Sequence, residues 1–214
     1  MIRNQSMLPI AAVAVLVYFA SGSVCWAADE KQPAVKTTGL SVGDLVPAFE
    51  SIDDSGQAWK SLDHVGKGVL VLYFYPGDFT DGCIKQAEAY RDGLEKIKGL
   101  CAEVVGVSGD EVATHALFKE TYGLKQTLLA DKKGELAKLL GIPSNQGSRV
   151  RAMKPDRTPL LDIEGMPLML SRPTTLGRWT VVVDRDGKVA SIRQVKNPMT
   201  DIEEVIKIVE QLEK

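Results

Sequence analysis

Pro76, Thr80 and Cys83 are the residues whose types and spacing could do chemistry. They stand as Pro-x-x-x-Thr-x-x-Cys directly after the apolar stretch Val69-Leu70-Val71-Leu72, and Cys83 closes the run Tyr73-Phe74-Tyr75-Pro76-Gly77-Asp78-Phe79-Thr80-Asp81-Gly82-Cys83. This puts a thiol where a buried strand ends and a helix begins. The unpaired N–H groups and partial positive charge of a helix N-terminus favour the thiolate, the nucleophilic form of cysteine. The competing role is that of a small buried structural cysteine. The Thr80 hydroxyl can donate to a thiolate or to an oxygen bound beside it, or can simply cap the helix. Pro76 has no N–H and a fixed φ, so it either walls one side of a pocket or only terminates the strand.

These residues need a rigid frame, and the pattern around them supplies one. Val46–Ile52 and Trp59–Leu62, across the turn Asp53-Asp54-Ser55-Gly56, read as a hairpin. Val69–Tyr75 and Ala102–Ser108 read as strands buried on both faces, and Thr127–Leu129 as a short third strand. Between and after them the spacing predicts helices over Cys83–Lys98, Glu111–Tyr122 and Gly134–Leu140, the last two ended by Gly123 and Gly141. Thr180–Asp184 and Val189–Arg193 flank the turn Arg185-Asp186-Gly187-Lys188, and an amphipathic helix spans Asp201–Glu213. Alternating strands and helices followed by a hairpin and a helix indicate a three-layer α/β sandwich. Residues 143–177 break the rhythm with Pro143, Pro155, Pro159, Pro167 and Pro173, and read as a long loop, either functional or a solvated elaboration.

The Pro76/Thr80/Cys83 pattern resembles the active-site signature of the peroxiredoxin family, and the run from Tyr73 to Cys83 is similar to that family's bacterioferritin comigratory protein branch. The similarity runs from about Val42 to the C-terminus. It includes Gly43-Asp44-x-x-Pro47-x-Phe49, Val104-Val105-Gly106-Val107-Ser108-x-Asp110, Leu128-Leu129-Ala130-Asp131 and Arg178-Trp179-Thr180-Val181-Val182-Val183-Asp184. The resemblance implies a thioredoxin-like fold, with residues 143–177 as an insertion before the Arg178 strand. It also implies reduction of hydrogen peroxide and alkyl hydroperoxides through a Cys83 sulfenic acid, with no cofactor and no metal. Arg178, otherwise an ordinary strand-edge cation, matches the arginine that holds thiolate and peroxide. Pro76 would shield the sulfur. Asp81 stands where relatives commonly carry proline; a carboxylate there disfavours the thiolate unless it points away, so modestly lower reactivity is expected.

Many members of this branch place a resolving cysteine five residues after the first, where this chain has Glu88. Cys101 lies beyond the predicted helix, about 24 Å of helical rise from Cys83, whereas a disulfide needs Cα atoms within ~7 Å. Cys101 is therefore read as a core thiol, and the enzyme as a one-cysteine type recycled by an external thiol or a thioredoxin-like reductant. Its expected assembly is a monomer or weak homodimer. His64 and His115 have no sequence neighbour suggesting a metal or a triad and are expected at the surface.

The balance of charge, net −2 with 25% charged residues, is that of a soluble globular domain and argues against a nucleic-acid partner. Arg3, the apolar stretch Leu8–Ala20 and the small residues before Asp29 have the layout of a secretory signal over residues 1–27. A linker over 28–40 and one domain over 41–214 follow. The expected destination is the periplasm or the exterior, with membrane tethering if the signal stays. Two rival readings are an exported thioredoxin-like thiol oxidoreductase and a non-catalytic thioredoxin-fold binding module. The first normally needs Cys-x-x-Cys, and Thr80 fills the first cysteine position. The second has no need to keep Pro76, Thr80, Cys83 and Arg178 together.

Overall fold

The computed structural model describes residues 39–213. The segment read as an export signal (1–27) lies outside the described residues, as does the linker 28–40 apart from Gly39 and Leu40. The chain reverses at Asp53, whose Oδ1 accepts from the backbone N–H groups of Ser55 and Gln57, each at 2.9 Å. This Asx-type turn pairs β1 (Glu50–Ile52) with β2 (Ala58–Lys60) antiparallel. Then follow β3 (Val69–Phe74), α1 (Asp81–Gly99), β4 (Ala102–Ser108), α2 (Val112–Tyr122), β5 (Thr127–Ala130) and α3 (Glu135–Leu139). Next come β6 (Ser144–Arg151), β7 (Met169–Leu176), β8 (Trp179–Val183), β9 (Val189–Gln194) and α4 (Asp201–Leu212).

β3 is the central strand. It pairs parallel with β4 and antiparallel with β8, so that Leu72 faces Val105 on one side and Val181 on the other. β5 and β9 complete the order β5-β4-β3-β8-β9. Because both faces of β3 are covered, its sequence is an unbroken apolar run rather than an alternation. Val69, Val71 and Tyr73 join a cluster with Tyr90 of α1, Phe118 of α2 and Val205 of α4. Leu70, Leu72 and Phe74 join another with Leu136 of α3 and Trp59 of β2. At roughly 1.5–3 kcal/mol per buried apolar side chain, these two layers hold the carboxyl end of β3 firmly, where the chemistry sits. The expected three-layer α/β/α sandwich is present, in the thioredoxin-like arrangement.

Residues 143–177 are not a structureless loop. β6 and β7 form an antiparallel hairpin with Arg149 opposite Ser171 and Gln146 opposite Thr174. Its far end folds on itself: Ala152 donates to Leu168 O, Leu160 to Ala152 O and Leu168 to Leu160 O, at 2.8–2.9 Å. Ala152 is fully buried in the α1/α2/α4 cluster, and the Tyr122 hydroxyl donates to Met153 O at 2.8 Å. The prolines hid this hairpin from a sequence reading. Pro173 lies inside β7 across from Gly147, where a Cβ would come within 1.9 Å of Arg172 O and 2.4 Å of Pro173 O.

Cys101 also departs from expectation. It is exposed, in the turn before β4, at a left-handed φ of 51°, and is not a core thiol. Its carbonyl accepts from Val69 N at 3.1 Å, so the backbone is committed there while the thiol faces solvent.

Candidate functional site

The site begins where β3 ends. Tyr75 N still bonds to Val107 O at 3.1 Å, but Pro76 has no N–H and the ladder stops. The chain then turns through Gly77, Asp78 and Phe79. Phe79 has a φ of 58°, unusual for a bulky residue, and its ring is held against Phe118 and Tyr122 at centroid distances of 5.1 and 6.0 Å. Such strain persists only where the surroundings over-determine the conformation. Thr80 is the N-cap of α1 in extended conformation, and its carbonyl accepts from Cys83 N and Ile84 N, both at 2.9 Å. Its hydroxyl does not cap the helix; it donates to Gly77 O at 3.0 Å.

The helix begins at Asp81, two residues before Cys83, so the thiol stands in the first turn. The Cys83 N–H is given to Thr80 O. Cys83 is 1% exposed, and Arg178, which immediately precedes β8, donates from Nη2 to its Sγ at 3.1 Å. Gly82 leaves room for this, since a Cβ there would sit 3.2 Å from Arg178 Nη2. The structure thus brings Cys83, Thr80 and Arg178 together around one helix start, with half-buried Pro76 on the adjoining loop.

Two groups that sequence reasoning did not single out extend the site. Arg178 Nη1 donates to Gln86 Oε1, and Gln86 Nε2 donates to Asp201 Oδ2 at 2.8 Å. Asp201, at the start of α4, also accepts from the Tyr90 hydroxyl (2.7 Å), the Thr180 hydroxyl (2.9 Å) and Arg193 Nη2. Burial first, and Asp201 second, push the Tyr90 phenol well above its ordinary value, so it stays a protonated donor.

The second group lies under the Pro76–Thr80 turn. Asp78 is fully buried; its carboxylate accepts from the Tyr75 hydroxyl at 2.8 Å and pairs with His115 Nδ1 at 2.8 Å. Its backbone N–H donates to Asp110 Oδ2 at 2.8 Å, which the Ser108 hydroxyl also reaches at 2.7 Å. His115 is therefore fully buried, not at the surface, and His64 is half-buried, stacked on Trp59 and paired with Glu103 at 2.7 Å. Burial works to lower the His115 value, yet the adjacent Asp78 carboxylate and its hydrogen bond, with Asp110 behind, leave it raised. The signal was available: His115, Phe118 and Tyr122 share one helical face, and the other two are core.

Asp81 points into solvent and pairs with Arg157 of the insertion at 2.9 Å. Glu88, Tyr122, Met153 and Arg157 line a hollow between α1 and the insertion. Cys83 and Cys101 are both free, at opposite ends of α1.

A thioredoxin-like sandwich with a buried cysteine in the first turn of a helix, its sulfur held by an arginine just ahead of a neighbouring strand, defines a thiol-based redox protein. The chain belongs to the AhpC/TSA family, whose sequence model matches residues 42–192, and is a thiol-dependent peroxidase of the peroxiredoxin Q branch. Chloroplastic peroxiredoxin Q of Suaeda salsa is 36% identical over 174 residues, 81% of this chain and 69% of that protein. The protein of the same name from Triticum aestivum is 37% identical, covering 81% and 68%. Among solved structures, peroxidoxin BcpB from Mycobacterium tuberculosis superposes with a TM-score of 0.64 at 25% identity, over 80% of this chain and 97% of that one. The bacterioferritin comigratory protein of Xanthomonas campestris shares the fold, with a TM-score of 0.61 at 20% identity over 78% and 92%.

These relatives overturn one expectation. The plant proteins that match four-fifths of the chain are named as chloroplastic, so an apolar leader ahead of this domain does not establish export, and assignment to the periplasm or exterior is withdrawn.

Proposed function

We propose that Cys83 is the peroxidatic nucleophile of a one-cysteine peroxidase, with Arg178, Thr80 and Pro76 forming the peroxide site. The Cys83 thiolate attacks the terminal oxygen of a hydroperoxide and the O–O bond breaks. The leaving oxygen takes a proton from solvent and departs as water or alcohol, while the sulfur, oxidised by two electrons, becomes a sulfenic acid. An external thiol then attacks that sulfur, expelling water and forming a mixed disulfide. A second thiol releases Cys83 and leaves as a disulfide.

The contact between Arg178 Nη2 and Cys83 Sγ at 3.1 Å carries this reading. A guanidinium can donate to the thiolate and to a peroxide oxygen at once, where negative charge develops. The hydroxyl proton of Thr80 is committed to Gly77 O, which suits its oxygen to accept from the peroxide O–H. The half-buried Pro76 ring limits water at the sulfur. One-cysteine turnover is supported by Glu88 at the position where many relatives carry a resolving cysteine, and by the length of α1 between Cys83 and Cys101. The reading assigns the activity to one domain over residues 41–214, acting as a monomer or weak homodimer. It includes no nucleic-acid partner, in keeping with a net charge of −2.

Mass spectrometry after one equivalent of hydrogen peroxide tests the one-cysteine step. The expected product carries a dimedone-trapped sulfenic acid on Cys83 and no bond to Cys101. A quantitative Cys83–Cys101 disulfide would contradict it.

A further inference from the structure

The insertion hairpin delivers one side chain into the catalytic turn. Arg172, near the middle of β7, is 4% exposed, and its guanidinium donates from Nη1 to Pro76 O at 2.9 Å and from Nη2 to Asp78 O at 3.2 Å. Its Nε lies 3.6 Å from Asp110 Oδ1, and both groups of this ion pair are almost wholly buried. Among the described residues, no other side chain of the hairpin hydrogen-bonds the backbone between β3 and α1. Those two carbonyls flank Gly77, the residue whose own carbonyl holds the Thr80 hydroxyl.

The backbone is shaped to admit this guanidinium. A Cβ on Gly77 would fall 1.4 Å from Arg172 Nη1, so only glycine is compatible with the contact. Gly109, between Ser108 and Asp110, lets β7 approach the end of β4: a Cβ there would meet Thr174 O at 2.0 Å. Gly147 provides the same clearance on the paired strand. Burying an arginine is costly unless its charge is matched. Here Nη1 and Nη2 meet main-chain carbonyls of the turn that presents Thr80 and Cys83, while Nε faces the Asp110 carboxylate as an ion pair without a hydrogen bond.

We propose that Arg172 is a positioning residue for the peroxide reaction: it clamps the Pro76 and Asp78 carbonyls and so sets the distance between the Thr80 hydroxyl and the Cys83 sulfur. It does not touch the sulfur. The proposal rests on Cys83 acting as the peroxidatic nucleophile. It follows that the hairpin is part of the active site's frame and not only a surface elaboration. A fork is needed to reach two carbonyls at once, which a lysine cannot do.

Two rates at Cys83 in the folded protein test this: thiol consumption by hydrogen peroxide, which needs the aligned site, and alkylation by iodoacetamide, which needs only a reachable thiolate. R172M is expected to lose about 10²-fold in the peroxide rate, the scale of an ångström-level misplacement, with alkylation not slowed. R172K recovers part of the peroxide rate, and R149A, on the exposed side of β6, keeps all of it. G77A, which puts a methyl where Nη1 sits, reproduces the R172M pattern with the arginine still in the chain, and with R172K it carries the comparison if R172M does not fold. Peroxide rates in R172M and G77A within about threefold of wild type, or equal losses in both reactions, would overturn the Arg172 role alone. A wild-type protein whose Cys83 does not react with peroxide overturns the nucleophile assignment and this proposal together.

Discussion

Gln86 donates from Nε2 to Asp201 Oδ2 at 2.8 Å, and that bond decides which way its amide faces. A carboxylate only accepts and a guanidinium only donates, so the nitrogen must face Asp201 and the oxygen must face Arg178. Orientation passes from the start of α4, through α1, to the arginine on the sulfur. Gln86 and Asp201 are both almost wholly buried, so neither has water to replace a lost partner.

Gln86→Leu keeps the volume and removes both ends of this relay. Arg178 then lacks the acceptor that aims it, and the peroxide rate is expected to fall about 10- to 100-fold. Stopped-flow thiol consumption measures it, with thermal melting as a check that the fold persists. A rate unchanged from wild type would show that Arg178 is aimed by other contacts.

The Asp78–His115 pair makes stability depend on pH. His115 titrates above its ordinary value of 6.5 in the folded protein: burial lowers it, but the Asp78 carboxylate, its hydrogen bond and Asp110 together raise it further. The folded state therefore binds the proton more tightly than the unfolded chain. This stabilisation is fully present below the unfolded value and is lost as pH rises through the folded one. His115→Asn keeps an N–H for Asp78 but no titratable charge. The melting-temperature advantage of wild type over this variant, followed from about pH 5.5 to about pH 9, is expected to shrink as pH rises. An advantage that grows with pH would contradict the assignment.

Cys101→Gly relieves the left-handed backbone at φ 51° and is expected to stabilise the protein by about 1 kcal/mol in urea denaturation. Peroxide turnover with an external thiol as reductant should be unaffected, because Cys101 has no part in the one-cysteine cycle. Loss of turnover in this variant would restore Cys101 as a redox partner.

Much of the frame is legible in the chain because it is written locally. The unbroken apolar run of β3, and Gly123 and Gly141 at φ 63° and 76° after α2 and α3, mark elements that fold as their periodicity says. Pro76, Thr80 and Cys83 are close in sequence, so their association needs only one turn. Arg178 is 95 residues from Cys83 and became visible through family resemblance alone. Gln86 and Asp201 look like ordinary polar positions on amphipathic helices; what distinguishes them is a contact across 115 residues. Arg172 was hidden for a different reason. Most of its strand is exposed or half-buried, and Pro173 breaks the alternation that would have marked it as a strand at all.

The most direct test of the central claim is single-turnover stopped-flow reaction of the reduced protein with hydrogen peroxide, comparing wild type with Cys83→Ser. Wild type should lose one thiol per chain in a second-order reaction and Cys83→Ser should lose none on that timescale. Equal thiol loss in the two proteins, or none in wild type, would contradict the assignment of Cys83 as the peroxidatic nucleophile.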